Sequence, residues 1–196
     1  MEVHGAVAIA QPATARDDQY LVALAVGSQD TAAFGELIRR HQSHVRNFLR
    51  KLTAGSTDEA DDLAQECFLH AWDKLQTYSG RGSFIGWLLK VAYTTFLQSK
   101  RKSKRYAEVL DEAGQVADLE SRSYTQDSEE LSDLEKLLAV LTDEERAIMV
   151  MSYACGLSHR EIGDATGLPV GTVKSIIFRG KEKIRTSFDI KDHQHG

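Results

Sequence analysis

The sequence predicts an all-α protein of two small helical domains joined by a flexible acidic linker, the second of them a helix-turn-helix domain. Three observations predict this class. The chain has two prolines in 196 residues, far below the usual ~5%, and proline interrupts helices. Apolar residues recur at three- and four-residue steps in several long segments, which is the period of an amphipathic helix. An acidic stretch with little periodicity separates two groups of such segments.

The first group predicts a domain over residues 17–105, after a flexible lead-in over 1–16. One apolar stripe begins near Leu37 and ends at Leu52, and a second, from Leu63 to Leu75, includes Cys67. The glycine-containing segment 78–83 predicts a loop. A third helical segment follows from Phe84, and it ends in a basic cluster, which consists of Lys100, Arg101, Lys102, Lys104 and Arg105.

Composition then changes sharply. Residues 106–135 contain a single base, Arg122, and many acids, so we predict a linker over 106–127. The acids are Glu108, Asp111, Glu112, Asp118, Glu120, Asp127, Glu129, Glu130, Asp133 and Glu135. Helical periodicity returns with Leu131 and Leu134, which predicts a second domain over 128–190 and a tail over 191–196.

The segment 157–181 predicts a helix-turn-helix. Ser158 and Glu161 fit a capping box that opens the first helix. Gly167 supplies the positive φ of the turn, Pro169 starts the second helix, and Val173 faces inward. The residues that this pattern leaves facing outward are Thr172, Lys174, Ser175, Phe178, Arg179 and Lys181. Such a mixture of cations, hydroxyls and one ring suits a major groove, where it can reach phosphates and base edges.

The composition limits the classes of function. A net charge of −5 argues against a protein that coats nucleic acid or membrane by bulk charge. Two cysteines 88 positions apart, Cys67 and Cys155, predict no disulfide framework. We see no signal peptide and no membrane span, so we expect a cytoplasmic protein without membrane insertion. Nothing in the sequence indicates a cofactor.

Five short segments together resemble the extracytoplasmic-function (ECF) sigma factors of bacterial RNA polymerase. They read DDLAQECFLHAW at 61–72, YSGRGSF at 78–84, WLLKVA at 87–92, GLS at 156–158 and PVGTVKS at 169–175. Their order matches that of the family, and the resemblance covers about residues 17–188.

The resemblance implies three sets of site residues and three kinds of partner. Core polymerase would bind through its β′ clamp helices and β flap, promoter DNA would be read by both domains, and an anti-sigma factor would control the protein. The implied polymerase-binding residues are Asp61, Asp62, Gln65, Glu66 and Asp73. The implied minus-ten residues are Tyr78, Ser79, Gly80, Arg81, Gly82, Ser83, Lys90, Tyr93, Thr94, Gln98, Lys100 and Arg101. The implied minus-thirty-five residues are the six outward-facing ones of the helix-turn-helix.

The sequence departs from the family at several DNA-reading positions. Family members commonly carry an Arg-Asn pair where this chain has Tyr93 and Thr94, an acid in place of Gln98 and an arginine in place of Ser79. We therefore carry over no family promoter sequence. Gly180 replaces a helix former, and a glycine inside a helix costs about 1 kcal/mol, so we expect a loose end to this helix.

Three other classes of function fit the sequence less well. His41 with His44, and Cys67 with His70, are i,i+3 pairs that would make a zinc site if their helices met. Isolated i,i+3 pairs are common, however, and His41 and Cys67 lie on apolar stripes where packing explains them, so we predict no metal. No constellation of nucleophile and base indicates an enzyme. The main alternative is a stand-alone helix-turn-helix transcriptional regulator, which would bind a duplex operator without polymerase.

Overall fold

The computed structural model describes residues 17–112 and 133–192, and all regular elements in these two ranges are helical. They are α1 (Asp18–Gly27), α2 (Thr31–Leu52), α3 (Thr57–Lys74) followed by a 3₁₀ turn (Leu75–Thr77), α4 (Phe84–Glu112), α5 (Asp133–Ala139), α6 (Asp143–Tyr153), α7 (His159–Thr166) and α8 (Val170–Asp192). This confirms the all-α class. The predicted lead-in, most of the predicted linker and the last four residues of the tail lie outside the described ranges.

Helices α1 to α4 form the first bundle. Asp30 caps α2 by accepting hydrogen bonds from the backbone N–H groups of Ala32 (2.9 Å) and Ala33 (3.1 Å). Inside the bundle, Leu49 of α2 and Leu88 of α4 have no exposed surface. Burying a leucine contributes about 1.5–3 kcal/mol, so the inward stripes hold the bundle together. The fully buried Cys67 is part of this core.

Aromatic side chains close the end of this bundle near the 78–83 loop. Phe84 is 2% exposed, as expected for a core residue, and Trp87 packs against the core while its Nε1 donates to Thr77 Oγ1 over 3.4 Å. The Tyr78 ring meets Phe84 edge-on at a centroid distance of 5.5 Å. These contacts fix where the loop leaves α3 and enters α4.

Helix α4 is longer than the sequence suggests. It continues to Glu112, seven residues into the segment that we predicted as linker. Ala107 and Glu108 are good helix formers, and the next proline or glycine is Gly114. Lys104 also lies 3.9 Å from Glu108, an i,i+4 pair that supports a helix. Local propensity therefore carries the helix beyond the end of the apolar stripe.

Helices α5 to α8 form the second bundle. Its core includes Ile148, Ile162 and Val173, each with no exposed surface. Helix α6 opens with a capping box in which Glu145 N–H donates to Thr142 Oγ1 (3.2 Å) and Thr142 N–H donates to Glu145 Oε2 (3.0 Å). A threonine followed three residues later by a glutamate is the sequence pattern of such a box.

The helix-turn-helix is built as predicted. Ser158 and Glu161 form the second capping box, and Gly167 ends α7 with φ = 79°. A glycine is also required at position 163, because a Cβ atom there would lie 2.8 Å from the carbonyl oxygen of Leu168. Gly163 thus allows the chain to turn closely against α7 before α8 begins.

Gly180 has a packing role that the sequence did not indicate. Helix α8 runs through this position to Asp192. The residue is buried, and a Cβ atom would lie 3.2 Å from the Met149 sulfur of α6. The missing side chain lets α8 approach α6 closely, and the described helix shows no break at the predicted loose end.

The two bundles are in contact, with α7 packed on α4 and α6 packed on α2. Arg146 of α6 lies between them and is 2% exposed. Its guanidinium donates to the carbonyl oxygens of Leu138 (3.1 Å), Leu141 (3.2 Å) and, in the first bundle, Leu52 (3.4 Å). These acceptors lie at or just beyond helix ends, where carbonyl groups lack partners within the helix.

Candidate functional site

The outward face of α3 is acidic. Asp62, Gln65, Glu66 and Asp73 are exposed, because the opposite side of the helix supplies Leu63, Cys67 and Ala71 to the core. Asp61 is half-buried, and its Oδ1 lies 3.2 Å from Arg46 Nε of α2. Four of the five predicted polymerase-binding residues therefore share an open face, and the fifth is already paired.

Leu69 is the residue that sequence reasoning missed on this face. Its surface is 69% exposed, and it lies in register with Asp62, Glu66 and Asp73 at helical steps of four, three and four. The sequence indicates this exposure, because Leu69 does not belong to the apolar stripe of α3 that faces the core. If a partner covered this face, the Leu69 side chain would add apolar area to the interface.

Helix α2 adds cations beside the acidic face. An open groove of about 450 Å³ runs between α2 and α3. Its lining residues are Arg39, Gln42, Ser43, Arg46, Asn47, Arg50, Thr57, Ala60 and Asp61. The three arginines recur at steps of seven and four, so they share one face of α2. The candidate docking surface thus carries both signs of charge, whereas the sequence pointed only to its acids.

The predicted minus-ten loop is held in one conformation by its own hydrogen bonds. Tyr78 Oη donates to the Gly82 carbonyl (3.0 Å), and Gln19 Nε2 donates to the Gly80 carbonyl (3.4 Å). Gly80 and Gly82 have φ of 73° and 78°, which glycine adopts without strain. Burial, followed by the charges of Asp18 and Asp17, raises the pKa of Tyr78. Ser79, Arg81 and Ser83 are exposed.

A depression of about 380 Å³ lies between this loop and α1. Its lining residues are Gln19, Val22, Ala23, Val26, Gly27, Gln76, Tyr78, Ser79 and Gly80. Gln19 and Gln76 offer amide groups there, and the sequence did not indicate them. Gln19 belongs to α1, about sixty residues before the loop, so only the folded bundle brings it beside Gln76 and the loop.

The outward side of α4 shows the predicted cations but not every predicted base-reading group. Lys90, Gln98, Lys100 and Arg101 are exposed, and Thr94 is half-buried with its hydroxyl donating to the Lys90 carbonyl (2.9 Å). Tyr93 is 5% exposed. Burial, with the nearby carboxylates Glu144 and Asp143, raises the pKa of Tyr93 to about 12. Tyr93 therefore has little exposed surface with which to read a base, and the two carboxylates near it belong to α6 of the second bundle.

The outward side of α8 is open and basic. Five of the six predicted residues are exposed and Thr172 is half-buried. The Phe178 ring is 66% exposed between Lys174 and Lys181, and the Lys181 ammonium lies 5.1 Å from the centroid of Tyr153. A helix is about 10–12 Å wide with its side chains, which matches the ≈12 Å width of the major groove.

The side chains considered for zinc have other partners. His41 Nε2 lies 2.7 Å from Asp18 Oδ2, and His70 Nδ1 lies 3.2 Å from Thr95 Oγ1. Burial raises the pKa of Cys67 to about 12 and that of Cys155 to about 11, so neither thiol readily supplies a thiolate ligand. Within residues 17–112 and 133–192, no three His, Cys, Asp or Glu side chains form a group suited to a metal ion.

Family models match both bundles. The model described as Sigma-70 region 2 matches residues 37–106, and the model described as Sigma-70, region 4 matches residues 131–184. The first match covers α3, the loop and most of α4, and the second covers the helix-turn-helix. Across the described part of the chain, none of the helices is long and apolar enough to cross a bilayer.

Known proteins resemble the chain over most of its length. The ECF RNA polymerase sigma factor SigE of Mycolicibacterium smegmatis is 34% identical over 157 residues, 78% of this chain but 60% of that protein. The ECF RNA polymerase sigma factor SigW of Bacillus subtilis is 31% identical over 170 residues, 81% of this chain and 89% of that protein.

A solved structure shares the fold. It is the sigma factor RpoE of Bartonella quintana in complex with the anti-sigma factor NepR, with a TM-score of 0.64 and 24% identity. The match covers 80% of this chain and 97% of that one.

Proposed function

Because this chain belongs to the ECF family of sigma-70 RNA polymerase sigma factors, we propose that it binds core RNA polymerase and directs promoter-specific transcription initiation. One observation carries the proposal. The two bundles expose faces of opposite charge, acidic on α3 and basic on α8. An initiation factor needs both, one for a protein partner and one for DNA.

The acidic face of α3 would dock on the β′ clamp helices of the polymerase. Asp62 and Glu66 are exposed acceptors for a basic helix, and Leu69, one turn after Glu66, would anchor the contact by burying apolar area. The arginines of the α2 groove would meet acidic side chains of the same partner. The acids of the α3 face and the arginines of the neighbouring α2 groove would also fix the register in which a partner helix binds.

The two DNA-reading surfaces would act on different forms of the promoter. The loop 78–83 and the exposed side of α4 would hold the opened minus-ten strand, with Lys90, Lys100 and Arg101 neutralising phosphates. The outward face of α8 would read the minus-thirty-five element as duplex in the major groove. The second domain would also contact the β flap. The protein would act in the cytoplasm, where its polymerase works.

An anti-sigma factor would control this activity. RpoE was solved in complex with the anti-sigma factor NepR, and we extend that kind of partner to this chain. An inhibitor that covers the acidic face of α3 would prevent docking on the polymerase. The exposed Leu69 gives such an inhibitor an apolar anchor on the same surface.

Reconstituted transcription tests the proposal. The full chain would be added to core RNA polymerase with a pool of genomic promoter fragments, and the 5′ ends of the RNA products would be mapped. We expect initiation at a defined set of sites that core enzyme alone does not use.

Binding to the same fragments without polymerase provides the comparison. We expect weak duplex binding by the protein alone. The proposal fails if no initiation exceeds the core-only background. Tight binding to a specific duplex without polymerase, combined with no initiation, would instead identify a stand-alone helix-turn-helix regulator.

A further inference from the structure

His70 lies at the edge of the acidic face of α3 that is nearest to α4. Its side chain is 31% exposed, so the ring is partly open to solvent. Nδ1 lies 3.2 Å from Thr95 Oγ1 of α4, and Nε2 lies 4.0 Å from Oε1 of Glu66, one turn earlier on α3. The ring therefore lies between a buried hydroxyl group and a carboxylate that we assign to polymerase docking.

The Thr95 hydroxyl determines which ring nitrogen carries the hydrogen. Thr95 is 1% exposed, and its hydroxyl donates to the Val91 carbonyl over 3.0 Å. A hydroxyl group has one hydrogen to donate, so Oγ1 can bond to His70 at the same time only as an acceptor. Both hydrogen bonds are made together only when Nδ1 carries a hydrogen. In the neutral ring, Nε2 is therefore a bare acceptor that faces Glu66.

Protonation of the ring changes the group that faces Glu66. In the neutral ring, the Nε2 lone pair and the carboxylate are two acceptors, which do not bond to each other. Histidine ordinarily changes its charge between about pH 5 and 8, and the proton that it gains here makes Nε2 a charged donor. A charged N–H bonds strongly to a carboxylate. Both side chains are partly exposed, at 31% and 55%, so they have room to close the 4.0 Å separation.

The charged neighbours of the ring come mainly from α3 itself. Among the described residues, Glu66 is the one carboxylate within 4.0 Å of it. The next charged side chains on α3 are Asp73 and Lys74, three and four residues further on. Helix α2 contributes Arg46, which pairs with an acid nine residues before the ring. The α4 residues one turn from Thr95 carry no charge, and they are Val91, Ala92, Gln98 and Ser99.

We propose that His70 is a positioning residue of the docking surface, whose protonation draws Glu66 back onto α3 and weakens binding to a basic partner helix. The inference rests on the proposed function, because that function assigns Glu66 to the polymerase contact. The positive charge that the ring gains acts in the same direction, since a basic partner repels it. Binding to the polymerase is therefore strongest above about pH 7, where a histidine is ordinarily neutral.

The pH dependence of core binding tests the proposal. The affinity of the full chain for core RNA polymerase would be measured by fluorescence anisotropy between about pH 8 and 6. Wild type should lose about 2- to 5-fold more affinity over this interval than His70→Asn, because an exposed ion pair contributes little. Asparagine keeps an N–H donor near the position of Nδ1 but takes up no proton. Every variant meets the same polymerase, so the polymerase's own ionisable groups affect all profiles equally.

Matched variants of the α3 face separate the pair from a general loss of acid. Glu66→Gln and Asp62→Asn each remove one exposed acid from this face, so both should weaken binding. Only Glu66→Gln should reduce the pH dependence, since Asp62 lies eight residues before His70. His159→Asn removes an exposed histidine at the start of α7 and should keep the wild-type profile.

The tautomer of His70 gives a second readout, in the free chain. In protein labelled with ¹⁵N at histidine, the imidazole spectrum at about pH 8, where histidines are ordinarily neutral, should show the His70 hydrogen on Nδ1. Thr95→Val removes the accepting oxygen and keeps the shape of the side chain, so it should release the ring from this tautomer. The spectrum of His70→Asn assigns the signal.

Equal pH profiles for wild type and His70→Asn would overturn the proposal, as would a neutral ring with its hydrogen on Nε2. If wild type binds core polymerase and the two profiles are equal, the proposed function stands and the role of His70 falls. If wild type binds at neither end of the pH interval, the proposed function fails, and this inference fails with it.

Discussion

The outward faces of α3 and α8 share one arrangement of side chains but carry charges of opposite sign. Each belongs to a helix whose inner side is buried, and each presents one large apolar side chain among charges: Leu69 among carboxylates on α3, and Phe178 among cations on α8. The difference in sign separates their partners. A carboxylate face suits a basic protein surface, and a cationic face suits phosphates.

The comparison also explains the net charge. From Lys174 to Lys191 the chain has six bases and two acids, a local charge of +4, although the whole chain carries −5. The total is an average over regions with different partners. It says that the protein holds DNA weakly by bulk attraction, which suits a factor that reads DNA beside a polymerase.

The largest expected effect comes from reversing the sign of the α3 face. Asp62→Arg with Glu66→Arg should weaken binding to core polymerase by about 100-fold, roughly 2.7 kcal/mol, because two acceptors become repulsive. The measurement is core binding by fluorescence anisotropy without DNA.

The matched control for this pair is Glu108→Arg with Asp164→Arg, which changes the total charge equally at exposed positions outside the face. Normal core binding by the α3 variant would refute the docking assignment. A loss in the control as large as that in the α3 variant would show that only total charge matters.

On the α8 face, removing one cation should act on DNA alone. Arg179→Ala should lower transcription from promoters that depend on the minus-thirty-five element by about 5- to 30-fold, because the contact contributes about 1–2 kcal/mol. Core binding should stay normal, since Arg179 is exposed on α8 and does not belong to the α3 face. Equal loss at promoters that lack the element would contradict base or phosphate reading there.

A substitution at Leu69 tests whether apolar contact, as well as charge, contributes to core binding by the α3 face. Leu69→Ala should weaken core binding by about 5- to 10-fold, the effect of losing one apolar anchor of about 1–1.4 kcal/mol. Thermal stability should change little, because the side chain is already 69% exposed in the free protein. Val109→Ala is the control, since Val109 is 61% exposed outside the face. Core binding by Leu69→Ala equal to that of Val109→Ala would rule out an anchor.

The smallest effect is a pH dependence at the contact between the bundles. The hydrogen bond from Ser83 is the first cause that lowers the pKa of Glu161 to about 2 from an ordinary 4.5. A carboxyl with a lowered folded-state pKa stabilises the fold above about pH 4.5, and that contribution disappears as the pH falls toward 2. Wild type should exceed Glu161→Gln in Tm by about 2 °C at pH 6, since solvent screens a partly buried group.

This difference should vanish as the pH is lowered from 5 toward 2. A gap that stays constant over that interval would show that ionised Glu161 does not stabilise the fold.

The elements that the sequence predicts well are those set by neighbours in the chain. The capping box of Ser158 and Glu161, the turn at Gly167 and the inward Val173 all follow from spacing and backbone preference, and the structure has each of them. Exposure of α8 could be predicted for the same reason, because the inward stripe leaves only one face free.

Features that depend on distant segments could not be predicted. The Arg46–Asp61 pair needs the crossing of α2 and α3, and the carboxylates near Tyr93 come from α6 of the other bundle. Gly180 is unfavourable by helix propensity alone, yet α8 uses it to approach Met149. The exposure of Leu69, by contrast, could be predicted from the sequence. Its position in the helical period of α3 places it away from the apolar stripe that faces the core.

Arg146 makes most of its described hydrogen bonds within its own bundle. Two of its three described acceptors, Leu138 and Leu141, belong to its own bundle, and only Leu52 belongs to the other. Parting the bundles exchanges the bond to Leu52 for water and leaves the other two intact. The hydrogen bonds that hold the corner between α5 and α6 would therefore remain. The second bundle, with its helix-turn-helix, would then move relative to the first as one folded unit.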